Sequence, residues 1–520
     1  MKFGELVAAS RDVSEVRARS KKIERLAACL AEMDADETRI GVAYLSGDLR
    51  QGKIGIGYRT VHAMASGDAA LAPELTLSDV DRAFEAMASI AGPGSTQRRQ
   101  EALAALFRRA TREEQNFLVR LIVGELRQGA LEGILLEAIA RAANVSASSV
   151  RRAAMLTADA SGVAAAAREG GEARLAEFRL SPLTPLTPML AQTADDFADL
   201  FSGAESVAVE DKLDGARIQV HRVGDEVRVF TRQLNDVAAS LPEIVEVVRR
   251  LPVHSVVLDG EAIAMRKDGR PETFQTTMRR FGRRLDVETL RAEIPLSAFF
   301  FDCMHRDGED LIDQGQAERF AALSRIAGPE LVVTREIVRD EAAARAFYER
   351  ALSRGHEGLM AKALDAPYEA GRRGTAWLKL KPAHTLDLVV LAVEWGSGRR
   401  KGFLSNLHLG ARDPSTGGFV MLGKTFKGMT DELLKWQTEK LLALEVSRND
   451  FTVFVRPELV VEIAFDGVQT SSQYPGGVAL RFARVKRYRE DKRASDADTI
   501  EQVRAHRDRS GGAPDSAATE

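Results

Sequence analysis

Lys212 stands in the run Glu210-Asp211-Lys212-Leu213-Asp214-Gly215-Ala216-Arg217, between two stretches of strand character. A lysine at a strand end, followed by a glycine that permits a tight turn, presents a primary amine to a cleft. The amine is a nucleophile only when neutral, and an ordinary lysine of pKa about 10.4 is neutral in about one molecule per thousand near pH 7. Nearby cations favour the neutral form, and a pKa depressed by about 2–3 would be worth roughly 3–4 kcal/mol. Arginine cannot take this role, because its guanidinium stays protonated. Candidate neighbours are Lys379 and Lys381 in Trp377-Leu378-Lys379-Leu380-Lys381, where a period of two puts both lysines on one face. An exposed edge strand would show the same alternation.

Other segments carry complementary chemistry. Arg217, and Arg232 in Thr231-Arg232, have the forked donors that suit phosphate; either alone also reads as a surface arginine on a hairpin. Glu261, in Leu258-Asp259-Gly260-Glu261, and Glu357, in Glu357-Gly358-Leu359-Met360-Ala361-Lys362, are hard oxygen donors of the kind Mg²⁺ takes beside phosphates, or else solvated strand ends. Phe301, in Phe301-Asp302, ends a triple phenylalanine that could stack on a ligand or fill a core. The run LRFARVKRYREDK (480–492) holds Arg481, Arg484, Lys486, Arg487, Arg489 and Lys492 beside Asp491, and by itself reads as a solvated charged strand. Arg399, Arg400 and Lys401 on a glycine-rich turn are candidate phosphate contacts.

These residues need elements to hold them, and the chain changes texture twice. Residues 1–180 carry apolar side chains at helical spacing, as in RDVSEVRARSKKIERLAACLAEM with Val13, Val16, Ile23, Leu26 and Leu30. Breaks are expected at the glycine-containing stretches 45–59 and 124–129. Gly52, Gly55 and Gly57 do not match GxGxxG and lack a strand–helix context, so a dinucleotide loop is rejected there. PLTPLTPML (182–190) forbids a continuous helix and predicts an extended linker. Residues 181–383 mix short strands with helices such as LPEIVEVVRRL, without the βαβ alternation of a Rossmann sheet; ARIQVHRV and VRVFTR form a hairpin about Gly224-Asp225-Glu226. From 384 to 507 short strands with glycine-rich turns predict a small barrel, and 508–520 a disordered tail.

Composition sets limits. A chain of 520 residues predicts about three domains at roughly 100–200 residues each. The net charge of −3, from 73 basic and 76 acidic side chains, gives no bulk attraction to nucleic acid, so any such contact must use local basic patches. Cys29 and Cys303 alone cannot build a cysteine-based zinc cluster or a disulfide framework. With no signal-like start and no apolar stretch near the roughly 20 residues that span a bilayer, a cytoplasmic location and no membrane partner are expected.

Taken in order, the Lys212, Arg232, Glu261, Phe301, Glu357, Lys379–Lys381 and Arg481–Lys492 segments resemble the motifs of the covalent nucleotidyltransferases: DNA ligases, RNA ligases and mRNA capping enzymes. YLSGDLRQGKIGIGYRT and FLVRLIVGELRQGALEGILLEAIARAA resemble the helical DNA-binding domain of larger ATP-dependent DNA ligases, and VEWGSGRRKGFLSNLHLGARD resembles their barrel. The resemblance spans about residues 10–505 and is strongest to bacterial enzymes. It implies a multidomain protein: an all-α DNA-binding domain (1–180), an α+β adenylyltransferase domain with an ATP-grasp-like ligase core (181–383) and an all-β OB-fold domain (384–507). It further implies ATP and Mg²⁺ as cofactors, with Mn²⁺ a candidate substitute, nicked double-stranded DNA as partner, and activity at the bacterial nucleoid. Lys212 would carry AMP. Glu210, Arg217, Arg232, Glu261, Phe301, Lys379, Lys381, Arg481 and Arg487 would bind ATP or AMP, with Phe301 stacking on adenine. Glu261 and Glu357 would hold the metal, with Asp214, Asp259 and Asp491 in support.

Neighbouring families fit less well. NAD-dependent ligases use a four-cysteine zinc module that two cysteines cannot supply. Capping enzymes and RNA ligases lack this helical region, and a non-catalytic nick binder should have lost Lys212 or a motif glutamate. Gln233 stands where Asn is expected, and Ala483 where many relatives have Pro; neither removes a proposed catalytic group.

Overall fold

A computed structural model describes residues 1–510 apart from 17, 66, 127–131, 283–285, 371–373 and 383, with the backbone alone at 65, 399 and 507–510. Among the described residues, ten helices run from Phe3–Glu15 to Ala160–Leu175 and share one apolar core. Their ends follow local chemistry. Thr111 caps Arg112–Val123 by accepting from Glu114 N, Glu114 answers through Thr111 N at 2.7 Å, and the left-handed Gly124 ends the helix. The continuous pattern expected over 11–33 is in fact two helices, Phe3–Glu15 and Arg19–Ala31, since Val16 is extended. Residues 127–129 of the second expected break lie outside the described residues.

The linker is extended, as its prolines require, and it is held rather than loose. Leu183 N donates to His221 Nδ1 at 3.1 Å, and Leu186 N donates to Gln219 Oε1 at 2.7 Å. Met189 N donates to the Tyr368 hydroxyl at 3.1 Å. Leu186 and Met189 are buried with Met155 and Leu156 of the helical region and with Val257, Tyr368 and Trp377 beyond it.

Two five-stranded sheets follow. The first orders β1 (Ala191–Thr193), β10 (Gly374–Leu380), β9 (Gly358–Ala363), β2 (Val207–Lys212) and β8 (Arg335–Val338). The second orders β4 (Glu226–Thr231), β3 (Ala216–Val223), β5 (Ser255–Ala264), β6 (Leu296–Arg306) and β7 (Glu309–Asp310). Among the described residues, only β1 with β10 is parallel in these two sheets. The helix Glu341–Ser353 buries Ala344, Phe347 and Ala351 in the core of the first sheet; Pro242–Arg249 and Gln316–Ile326 cover the second. The chain crosses from one sheet to the other through Leu213-Asp214-Gly215, so Lys212 lies at their seam.

Beyond it, β11 (His384–Trp395) is the centre of a seven-stranded antiparallel sheet with β12 (Leu404–Asp413), β13 (Gly418–Thr425), β14 (Glu445–Arg448), β15 (Thr452–Val455), β16 (Val460–Phe465) and β19 (Arg484–Tyr488). A hairpin of β17 (Gly467–Thr470) and β18 (Val478–Arg481) packs Val468 and Val478 into the same core. The expected all-β character needs correction, because the helix Asp431–Ala443 buries Leu434 and Leu441 in the same core and Ile500–Ser510 adds a second. DELLKWQTEKLLA has a helical apolar period, but it is one run among many strand signals. Ile500–Ser510 also overlaps the start of the expected tail, whose residues 511–520 lie outside the described ones.

The second sheet holds a buried ion pair. Arg319 and Asp302, both inaccessible to solvent, meet at 2.7 and 3.0 Å, and Arg319 also donates to the carbonyls of Gln314 and Ala366. Arg319→Met leaves Asp302 an unpaired buried carboxylate and is expected to cost about 3–5 kcal/mol in urea unfolding. Adding Asp302→Leu should recover most of that; a single-variant loss below about 1 kcal/mol would show the pair is dispensable. His221 is held neutral at about 3 by burial, assisted by His305 and Arg228, whereas the unfolded chain titrates near the ordinary value of about 6.5. Between those values the unfolded state binds the extra proton, so stability present above about pH 6.5 is lost as pH falls towards 3. The melting temperature of His221→Asn, which retains an acceptor for Leu183 N, should therefore fall less steeply with acidification; parallel slopes would refute this.

Candidate active site

Strand register assembles the centre of the site. Lys212, last in β2, lies opposite Gly358, first in β9, and Glu357 N donates to the Lys212 carbonyl at 2.9 Å. Leu380, last in β10, lies opposite Leu359, so Lys381 emerges beside Glu357. The Glu357 carboxylate consequently contacts the amines of both Lys212 and Lys381. Gly358 has φ +147°, and a Cβ there would strike the Leu380 carbonyl, so glycine is what permits this approach. Burial pushes the Glu357 carboxyl up, but the two lysines outweigh it and hold it below the usual carboxylate range. The nearest charge to Lys212 is thus a carboxylate, where sequence reasoning expected cations.

The facing wall comes from the second sheet. Arg217 lies opposite Glu261 across β3 and β5, and its guanidinium grips Asp259 at 2.6 and 3.0 Å. It also donates to the Met189 carbonyl at 2.7 Å, which ties the linker to the site. Burial raises the Glu261 carboxyl to about 7 against the lowering influence of Lys212 and Arg217. Gly215 lets the Lys212 loop lie flat on this wall; a Cβ would come within 2.9 Å of Glu261 Cγ. Arg232 is exposed on the rim of a small cleft that it shares with Arg217, Pro188 and Asp259.

Behind Lys212, Glu210 is buried with Lys362 at 2.6 Å and Arg335 at 3.1 Å. Lys362 Nζ also donates to the Phe301 carbonyl and lies 4.6 Å from the Phe301 ring and 4.4 Å from that of Trp377. Burial, the larger influence, lowers the Lys362 pKa despite Glu210. The triple phenylalanine divides by strand alternation: Phe300 is fully buried in the second sheet's core, while Phe301 turns towards Trp377 and Met360. Lys379 shares its strand face with Lys381, and Leu378 and Leu380 on either side of Lys379 are buried.

The C-terminal region closes the site. Arg481 clasps Asp214 at 2.9 and 3.3 Å and lies 4.6 Å over the Phe274 ring. Asp466 reaches Lys381 at 3.2 Å. Arg484 joins Asp466 at 3.3 Å, and beyond it the basic run points elsewhere: Arg487 is exposed and pairs with Glu462 of the neighbouring strand, Asp491 pairs with Arg489, and Arg489 and Lys492 hold Asp387. Arg400 meets the Phe426 carbonyl, Lys401 is exposed, and the Arg399 side chain lies outside the described residues. Sequence reasoning passed over Lys362, Tyr368, Arg335 and Asp466. Lys362 ends a motif already quoted, so its signal was available; Asp466 had none, because only docking of the C-terminal region brings it near.

The chain matches three family models: DNA ligase N terminus over residues 60–140, ATP dependent DNA ligase domain over 188–381, and ATP dependent DNA ligase C terminal region over 400–492. It is 57% identical over 507 residues to a probable DNA ligase of Anaeromyxobacter sp. (strain Fw109-5), covering 97% of this chain and 98% of that one. A probable DNA ligase of Mycolicibacterium gilvum (strain PYR-GCK) is 54% identical over 503 residues, covering 96% and 98%. The solved structure named Pmar-Lig_PreS3 shares the fold, with a TM-score of 0.61 at 19% identity over 93% of this chain and 99% of that one. The site at the sheet seam and these matches together establish that the chain belongs to the ATP-dependent DNA ligase family.

Proposed function

We propose that the protein seals a 3′-hydroxyl to a 5′-phosphate at nicks in duplex DNA, carrying AMP first on Lys212 and then on the DNA 5′-phosphate. The carrying observation is the Lys212 amine at the seam of two sheets, with Glu357 and Lys381 on one side and Arg217 and Glu261 on the other. Lys212 Nζ attacks the α-phosphorus of ATP, and the bond to pyrophosphate breaks. The AMP then passes to the 5′-phosphate, and the 3′-hydroxyl displaces it. Lys381, Lys379 and Arg481 balance phosphate charge, as does Arg487 once the C-terminal region reorients. Arg217 and Arg232 address the ribose and phosphate side, Asp259 orients Arg217, and Asp214 and Asp491 are supporting groups. Phe301 stacks on adenine, and Glu210 accepts from its amino group.

Glu261 and Glu357 suit Mg²⁺, since two carboxylates on opposite walls leave the remaining positions to phosphate and water, as this ion prefers. When bound, the ion stabilises charge on the phosphoryl oxygens. We read 1–180 as the DNA-binding domain, 181–383 as an ATP-grasp-like adenylyltransferase and 384–507 as an OB-fold domain; largely separate apolar cores support this division. Exposed basic groups such as Lys401 would meet DNA phosphates. A cytoplasmic, nucleoid-associated site of action fits this reading.

Intact mass after incubation with Mg²⁺ and ATP should rise by one AMP in wild type and not in Lys212→Ala, while NAD⁺ or GTP adds nothing. An adduct retained by Lys212→Ala would refute the nucleophile. Glu357→Ala should raise the Mg²⁺ concentration for half-maximal adduct formation by about tenfold or more. An unchanged Mg²⁺ requirement would remove Glu357 from the metal site.

A further inference from the structure

Asp466 sits at the junction of β16 and β17, where its backbone N–H donates to the Arg481 carbonyl at 3.0 Å. Its carboxylate is divided between two cations from different parts of the chain: Lys381 Nζ at 3.2 Å and Arg484 Nη1 at 3.3 Å. An alternating chain of charge results: Lys212, Glu357, Lys381, Asp466, Arg484. Glu357 is shared between the Lys212 and Lys381 amines, and Asp466 adds a second carboxylate to Lys381 from the C-terminal region. Without the Asp466 charge, Lys381 and Arg484 would face a common gap, one from the core and one from the C-terminal region. Two converging cations of this kind suit a phosphate.

We propose that Asp466 holds the place of a phosphate, competing with the triphosphate of ATP and with free pyrophosphate for Lys381 and Arg484. The inference rests on the nucleotidyl-transfer reading above. A polyphosphate, with more charge and more oxygens than one carboxylate, displaces Asp466 on entry. Once pyrophosphate has been cleaved and leaves, Asp466 returns to both cations and disfavours its rebinding. Asp466 is thus a positioning residue that makes adenylylation harder to reverse, at the expense of ATP affinity.

The test measures adduct formation against ATP concentration, and removal of AMP from the adduct against pyrophosphate concentration. Loss of one half-exposed ionic competitor should lower both half-saturating concentrations in Asp466→Asn by about two- to fivefold, with little change in maximal rate. Asp466→Glu should stay near wild type, and Arg484→Gln should move both concentrations upwards. A purely structural Asp466 would instead lower the maximal rate and leave the half-points in place, and that result overturns the proposal. So does a rise of either half-point in Asp466→Asn. If wild type itself acquires no AMP, the nucleotidyl-transfer reading fails first; if it does and the half-points of Asp466→Asn are unmoved, only this inference fails.

Discussion

The pairing of β2 with β9 is the constraint on which the site depends. Hydrogen-bonded register sets Lys212 against Gly358, and from that one alignment Glu357 reaches the amine while Lys381 arrives from the next strand. A slip of one residue would turn every side chain of β2 to the opposite face, sending Lys212 into the core and Asp211 into the cleft. The register is secured on the buried side, where Val207, Val209, Leu359 and Ala361 pack with the helix Glu341–Ser353.

A layer of paired charge supports that centre. Glu210 with Lys362 and Arg335, Arg217 with Asp259, and Asp302 with Arg319 all lie in or beside the two sheets with little or no exposure. Buried ions of this kind add little net stability over an apolar core, but each fixes the direction of its partner. Arg217 illustrates the effect, since Asp259, the Tyr368 hydroxyl and the Met189 carbonyl leave its guanidinium one orientation. The linker is part of that clamp, which gives the helical region a physical connection to the wall facing Lys212.

Charge also governs how the C-terminal region meets the core. Arg481 on Asp214 and Asp466 on Lys381 are contacts between groups of opposite sign that can be exchanged for phosphate or water without disturbing either core. Such polar contacts hold two regions together less firmly than an apolar seam would. The overall charge of −3 does not reveal this arrangement, in which Arg481 and Lys381 each meet a carboxylate of the other region.

Much of this was legible in the chain. The Lys212, Glu261, Phe301, Glu357 and Lys381 segments, in order, carried the resemblance to the ligase family, and period-two alternation predicted which of Leu378, Lys379 and Leu380 would be buried. Helical periodicity, the proline-rich linker and the hairpin at Gly224 depend on neighbours a few residues apart, so sequence alone determined them. What it could not determine were relations between distant residues. The carboxylate beside Lys212, the divergence of Arg487 and Arg489 from Arg481, and the arrival of Asp466 at Lys381 are set by sheet register and by the docking of one body on another. The helix Asp431–Ala443 was hidden differently, its signal being local but outweighed by the strands around it. Local pattern specifies which face of an element is apolar, but only tertiary packing decides which charges then come within reach of one another.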